Sequence, residues 1–185
     1  MTSPDAVTGV PYRPDIHEVS EWSRAIYDHL RDWAASREGK WERWEPGYLL
    51  MTITSDNGTE VEPIQIYTAD EELTVTFGFW ETHLPAPGWS GEDDDKIASA
   101  EARDLVEDWL SGRMFTAIYF NGGGQWCGSL SVEADQDLSD RLRYGRDWMR
   151  SFKPARIEVR RPRKAEWRHF DLKGGDIVEV DALGD

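Results

Sequence analysis

The stretch TVTFGFWETHLPAPGWSGEDDD, residues 74–95, holds the transition on which the fold turns. Its first part belongs to a run, ELTVTFGFW, in which Leu73, Val75 and Phe77 alternate with Thr74 and Thr76. That period of two predicts a strand with one oily and one polar face. Its last part, Asp93, Asp94 and Asp95, opens a segment where Ile97, Ala98, Ala102, Leu105, Val106, Trp109 and Leu110 recur at helical spacing, with Gly112 just past the end. Carboxylates in a first turn complement the positive end of the helix dipole. The Pro/Gly loop between, from Pro85 to Gly91, is where a strand hands over to a helix.

Working outward, residues 1–14 read as a flexible leader with three prolines. Asp15 stands as an N-cap with Glu18 three residues later, and Trp22, Ile26, Leu30 and Trp33 follow, predicting a helix over about 16–36. KWERWEPG reads as a connector. The runs YLLMTITS and PIQIYTA flank Asp56-Asn57-Gly58, and Asn-Gly supplies the positive φ values of a tight hairpin turn. Downstream, MFTAIYF and QWCGSLSVE flank Asn121-Gly122-Gly123-Gly124 as a second hairpin, and a short helix is expected over 138–152. RIEVR and EWRHFDL form a basic C-terminal hairpin at about 155–172, and DIVEV adds an edge strand. This order predicts an α+β fold: a mostly antiparallel sheet built from hairpins, covered on one face by the N-terminal and central amphipathic helices, in one domain over 15–185. A chain of 185 residues suits one core.

Net charge is −15 and unevenly placed. Residues 1–149 hold 12 Lys and Arg against 29 Asp and Glu, residues 150–173 hold 9 against 3, and the rest add −4. An acidic body of this kind repels nucleic acid and favours basic partners. Cys127 is the one cysteine, so no internal disulfide forms, as suits a reducing cytosol. The opening MTSPDAVTGVPYRPD lacks a basic-then-apolar pattern, and no apolar run nears the roughly 20 residues of a membrane span. The expectation is a cytoplasmic protein with no membrane partner.

Four groupings invite chemistry. Glu81 and His83 with Asp93, Asp94 and Asp95 offer a nitrogen and several oxygens to a metal, and a small metal-dependent hydrolase built on His83 is the alternative reading. One His sets no ligand spacing, however, and dipole capping already accounts for the acids, so no metal or cofactor is expected. Cys127 sits in a strand-like run, not at a helix N-terminus that would activate it. Gly122 to Gly124 join two strands, whereas a phosphate cradle joins a strand to a helix. The basic strip Arg156, Arg160, Arg161, Arg163, Lys164 and Arg168, interleaved with Trp167, His169 and Phe170, has the composition of a single-strand binder on a molecule of the wrong total sign. An acidic regulator mimicking nucleic acid is a further alternative. No triad, P-loop, HExxH or dinucleotide fingerprint is present, which favours a non-enzymatic protein.

The run ELTVTFGFWETHL, the acidic loop, the helix segment ARDLVEDWLSG and the hairpin FTAIYFNGGGQWCGS together resemble the core of small acidic immunity proteins of bacterial polymorphic-toxin and contact-dependent inhibition systems, over about residues 48–133. The resemblance implies a cytosolic antidote that binds and neutralises a cognate toxin domain, often a basic one. Large aromatics beside carboxylates then mark a partner-binding patch: Trp80, Glu81, His83, Trp89, Asp93, Asp94 and Asp95, with Trp126 nearby.

Overall fold

The computed structural model describes residues 10–14, 17–54, 63–85, 91 and 93–181. The fold is α+β, with the strands shared between a six-stranded and a five-stranded sheet, both antiparallel throughout. The chain divides into two compact units, the first comprising Met1–Asn57 and Pro63–Val106, the second Gly58–Glu62 and Glu107–Asp185.

In the first unit the strands run in sequence order: β1 (Val10–Pro11), β2 (Lys40–Glu45), β3 (Tyr48–Ile53), β4 (Ile64–Ala69), β5 (Glu72–Phe77) and β6 (Trp80–Leu84). Register places Trp41, Met51, Ile66, Val75 and Thr82 in one row across five of them. Helix α1 (Glu21–Ser36) lies against β3 and β4, turning Ile26, Leu30 and Ala34 inward. Its Ser23 hydroxyl is 2.6 Å from that of Thr68, which also accepts the Leu49 amide at 2.9 Å. A buried polar chain thus fixes where the helix meets the sheet.

Five expectations change here. The helix begins at Glu21, not near residue 16, because the Ser20 hydroxyl caps it by accepting the Ser23 amide at 3.1 Å; Asp15 lies outside the described residues. Part of the expected leader is β1, whose Val10 and Pro11 stand opposite Arg43 and Glu42, and Tyr12 packs edge-on against Tyr27, which meets Trp41 likewise. The KWERWE connector is strand β2. Trp41 and Trp44 stand three apart, which breaks the period of two, and a register irregularity between Arg43 and Glu45 absorbs the mismatch. ELTVTFGFW is a hairpin: Phe77 pairs with Trp80 across Gly78 and Phe79, and Gly78 takes φ +61°. On β5, Thr74 and Thr76 are buried along with Leu73, Val75 and Phe77, so its second face is not solvated. β3 and β4 pair as expected, but the Asn57-Gly58 turn between them lies outside the described residues.

In the second unit the order is β11 (Asp176–Val180), β10 (Arg168–Lys173), β9 (Pro154–Arg160), β7 (Met114–Asn121) and β8 (Trp126–Glu133). Helix α3 (Leu138–Trp148) and a short 3-10 turn, Arg150–Phe152, lie between β8 and β9 in the chain. Two glycines let this segment approach the sheet. A Cβ on Gly145 would fall 2.2 Å from the Tyr119 hydroxyl, and one on Gly128 would fall 2.9 Å from the Met149 sulfur. Tyr119 is buried and donates its hydroxyl proton to the Leu142 carbonyl at 3.0 Å. Helix α2 (Asp94–Leu110) buries Ala98, Ala102, Val106 and Trp109 along its length, and the unit boundary follows Val106.

Candidate functional site

The residues of the expected patch take separate places. Trp80 is 8% exposed and stacks on Phe77, ring centroids 5.3 Å apart and planes 9° from parallel. It is a core residue, because its register partner is Phe77 on the inward row. Trp89 lies outside the described residues. Glu81 and His83 are exposed on β6, opposite Thr76 and Thr74.

Each aspartate at the start of α2 has a local partner. Asp93 accepts an ion pair from Lys96, and Asp94 accepts the Gly91 amide at 3.0 Å. Asp95 accepts from His29 Nε2 at 2.9 Å, which ties α2 to α1. Partial burial would raise the Asp95 carboxyl, but the His29 bond and the amides of Lys96 and Asp95 hold it below its ordinary value.

His83 gathers a neighbour that sequence alone did not single out. Its Nδ1 lies 2.7 Å from Glu72 Oε1 and 3.1 Å from Thr74 Oγ1. A nucleophile relay needs the two imidazole nitrogens to face in opposite directions, one to the orienting acid and one to the hydroxyl. Here one nitrogen faces both, with the carboxylate the nearer, so the imidazole does not stand between acid and hydroxyl as a relay requires. Tyr67 sits beside this group: burial first, then the charges of Glu81 and Glu72, push its phenol up. Among the described residues no three His, Cys, Asp or Glu side chains gather as metal ligands would.

Trp126, by contrast, is open to solvent. It begins β8 after a turn in which Asn121 Oδ1 accepts the amides of Gly123 and Gln125 at 2.9 and 3.0 Å. The next residue, Cys127, directs its thiol toward the Phe152 carbonyl at 3.5 Å. Burial pushes that thiol up, away from a reactive thiolate.

The exposed large apolar side chains described are Trp126 (49%), Tyr144 (57%), Trp148 (65%), Phe152 (61%) and Val178 (45%), all in the second unit. Tyr144, Trp148 and Phe152 recur every four residues along α3 and the turn after it, while Leu142, Gly145 and Met149 face inward. The sequence signal was present in LRYGRDWMRSF, where two stripes at helical spacing can be separated. It is easily passed over because one of the inward positions is a glycine.

The basic strip is consumed within its own unit. Arg156 and Arg160 flank Glu158 on β9 at 3.1 and 2.7 Å, with Glu158 and Arg160 both buried. Arg156 lies over the Phe120 ring at 4.8 Å and Arg160 over Trp167 at 4.3 Å. Arg161 lies over Phe115, Arg163 pairs with Glu166, and Arg168 holds Glu179 through two bonds of 2.7 Å. Guanidinium groups so engaged are poorly placed to receive a nucleic-acid backbone. Among the described residues, no helix is long and apolar enough to cross a membrane.

No protein-family model matches the chain, and no curated protein or solved structure is found similar to it.

Proposed function

We propose that this chain is a non-enzymatic protein-binding module and, as the finer reading, an immunity-type inhibitor that occludes a bacterial toxin domain inside the cytoplasm. One observation carries the first part: Trp126, Tyr144, Trp148 and Phe152 are each about half exposed or more, and three of them line up at four-residue spacing. Single exposed aromatics are ordinary, whereas an aligned group of large ones is characteristic of contact surfaces.

The charge distribution supports the finer part. The first unit holds 8 Lys and Arg against 20 Asp and Glu, a net −12, and the second 13 against 16, a net −3. Glu81, Asp93 and Asp94 therefore steer a basic partner toward the first unit. Trp80 is removed from the contact set.

The test is co-purification from the native host, with a Trp126→Ser/Trp148→Ser/Phe152→Ser variant beside the native chain. A protein partner should be retained by the native chain and lost by the variant, and Glu81→Gln/Asp93→Asn/Asp94→Asn should slow association and flatten its salt dependence. Retention of the same partner by the aromatic variant would refute the proposal, and so would a partner whose toxicity the chain leaves unchanged.

A further inference from the structure

The α3 face carries charge as well as aromatic surface. Residues 138–153 hold Arg141, Arg143, Arg146, Arg150 and Lys153 against Asp140 and Asp147, a local +3 on a chain of −15. Most of these cations have partners at hand: Arg143 pairs with Asp140, Arg146 with Asp147 and the Gly175 carbonyl, and Arg141 lies over the Tyr144 ring at 5.2 Å. Arg150 and Lys153 are exposed and close no ion pair among the described residues, although, after the Arg146 bond, the Arg150 charge helps to hold the Asp147 carboxyl down, and the two stand on either side of Phe152 in the chain. Among the described residues of the second unit, exposed apolar area and positive charge without an ion pair coincide here.

We propose that this face, Tyr144, Trp148 and Phe152 with Arg150 and Lys153, is a docking site for an acidic segment of a partner protein that also carries apolar side chains. The proposal rests on the binding-protein reading, not on the toxin reading, and its ligand has the sign opposite to the basic partner that the first unit favours.

Three considerations select this occupant. Apolar side chains of a short segment lie along a ridge spaced at one helical turn, as amphipathic partners do. Its carboxylates meet Arg150, whose guanidinium offers a two-pronged fork, and Lys153. Extended polyanions fare worse. A nucleic acid or an anionic membrane spans far more than the roughly 8 Å over which salt screens charge, and so also meets the acidic remainder of the molecule. The Tyr144 ring is also already covered on one face by Arg141, which removes a stacking platform.

The experiment pans a random-peptide display library against the intact, immobilised protein. The enriched sequences should be acidic with interspersed aliphatic or aromatic residues, and their binding should fall about tenfold or more in Trp148→Ser/Phe152→Ser. It should also fall in Arg150→Glu/Lys153→Glu, a surface change that leaves no buried group altered. Circular dichroism of both variants shows whether the fold is kept. Neutral or basic enriched peptides, peptides indifferent to both variants, or no enrichment would each overturn the assignment. So would oligo(dT) or phosphatidylserine vesicles binding in a manner that depends on Trp148 and Phe152. Basic peptides lost in Glu81→Gln/Asp93→Asn/Asp94→Asn would overturn this site while leaving the binding-protein reading intact. No enrichment of any peptide would count against both.

Discussion

Gly145 shows how a single hydrogen in place of a methyl group can set the height of a helix above a sheet. Alanine is worth about 1 kcal/mol more than glycine in an exposed helix interior. At this position that gain is reversed, because the new Cβ would fall 2.2 Å from Tyr119 Oη and 2.4 Å from Leu130 Cδ2. The Tyr119 hydroxyl cannot yield easily, since it is committed to the Leu142 carbonyl. Gly145→Ala is expected to destabilise the protein by about 1–3 kcal/mol, the usual cost of overpacking, read as a lowered midpoint in a urea titration. A midpoint that rose would show that helix propensity governs there instead. Asp95 gives the second residue-level expectation. Its carboxyl is held below the ordinary value when folded, so its contribution is complete above an unfolded pKa of about 3.9 and is lost as pH falls through the lower folded value. Asp95→Asn should lower stability at neutral pH and make the decline of stability below about pH 4 shallower than in the native chain. Parallel native and variant curves across that range would show that the His29 bond adds nothing.

At the level of elements, the triad on β9 is the most exacting arrangement in the second unit. Glu158 stands between Arg156 and Arg160 on one side of the strand, in register with Ile118 of β7 and His169 of β10. Removing one member of a buried pair costs about 3–5 kcal/mol, because the remaining charge keeps its desolvation penalty. Glu158→Ala should therefore destabilise the fold by an amount in that range, whereas Glu166→Ala, in an exposed pair with Arg163, should cost no more than about 1 kcal/mol. Equal losses in thermal unfolding would remove the distinction. The same scale explains what could be read in advance. The hairpin β7–β8, the β9–β10 pair and helix α2 were legible, since each has clean periodicity bounded by glycine, Pro-Arg or an acidic first turn. β2 was not, because its tryptophans fall three apart and only a tertiary bulge reconciles them with a sheet. β5 and β6 merged into one run because Gly78 was read as part of a strand instead of as the positive-φ corner it makes. The proposed contact set fared unevenly for the same reason. A tryptophan beside a glutamate looks alike whether it ends up in the core, as Trp80 does, or on the surface, as Trp126 does, and only the register decides.

For the whole molecule, the division of charge is sharper than linear counting suggested. The basic strip near the C-terminus keeps its excess of positive charge, but its arginines are tied to Glu158, Glu166 and Glu179 or laid over aromatic rings, so they also contribute packing. The α3 face also projects outward in the second unit, and the first unit carries a net −12 whose first α2 turn is locally satisfied. The two sheets have a further consequence in how they end. A terminal strand offers unpaired amides and carbonyls to any passing chain, the starting point of uncontrolled association. At the ends of the described sheets, β1 is two residues long and contains Pro11, β6 carries Glu81 and His83, β11 carries Asp176 and Glu179, and β8 is bent by an irregularity opposite Tyr119 and Phe120. Each border is thus shortened, charged or kinked. Glu81 and His83, whatever they contact, also act as gatekeepers, keeping the margin of the first sheet from recruiting another strand.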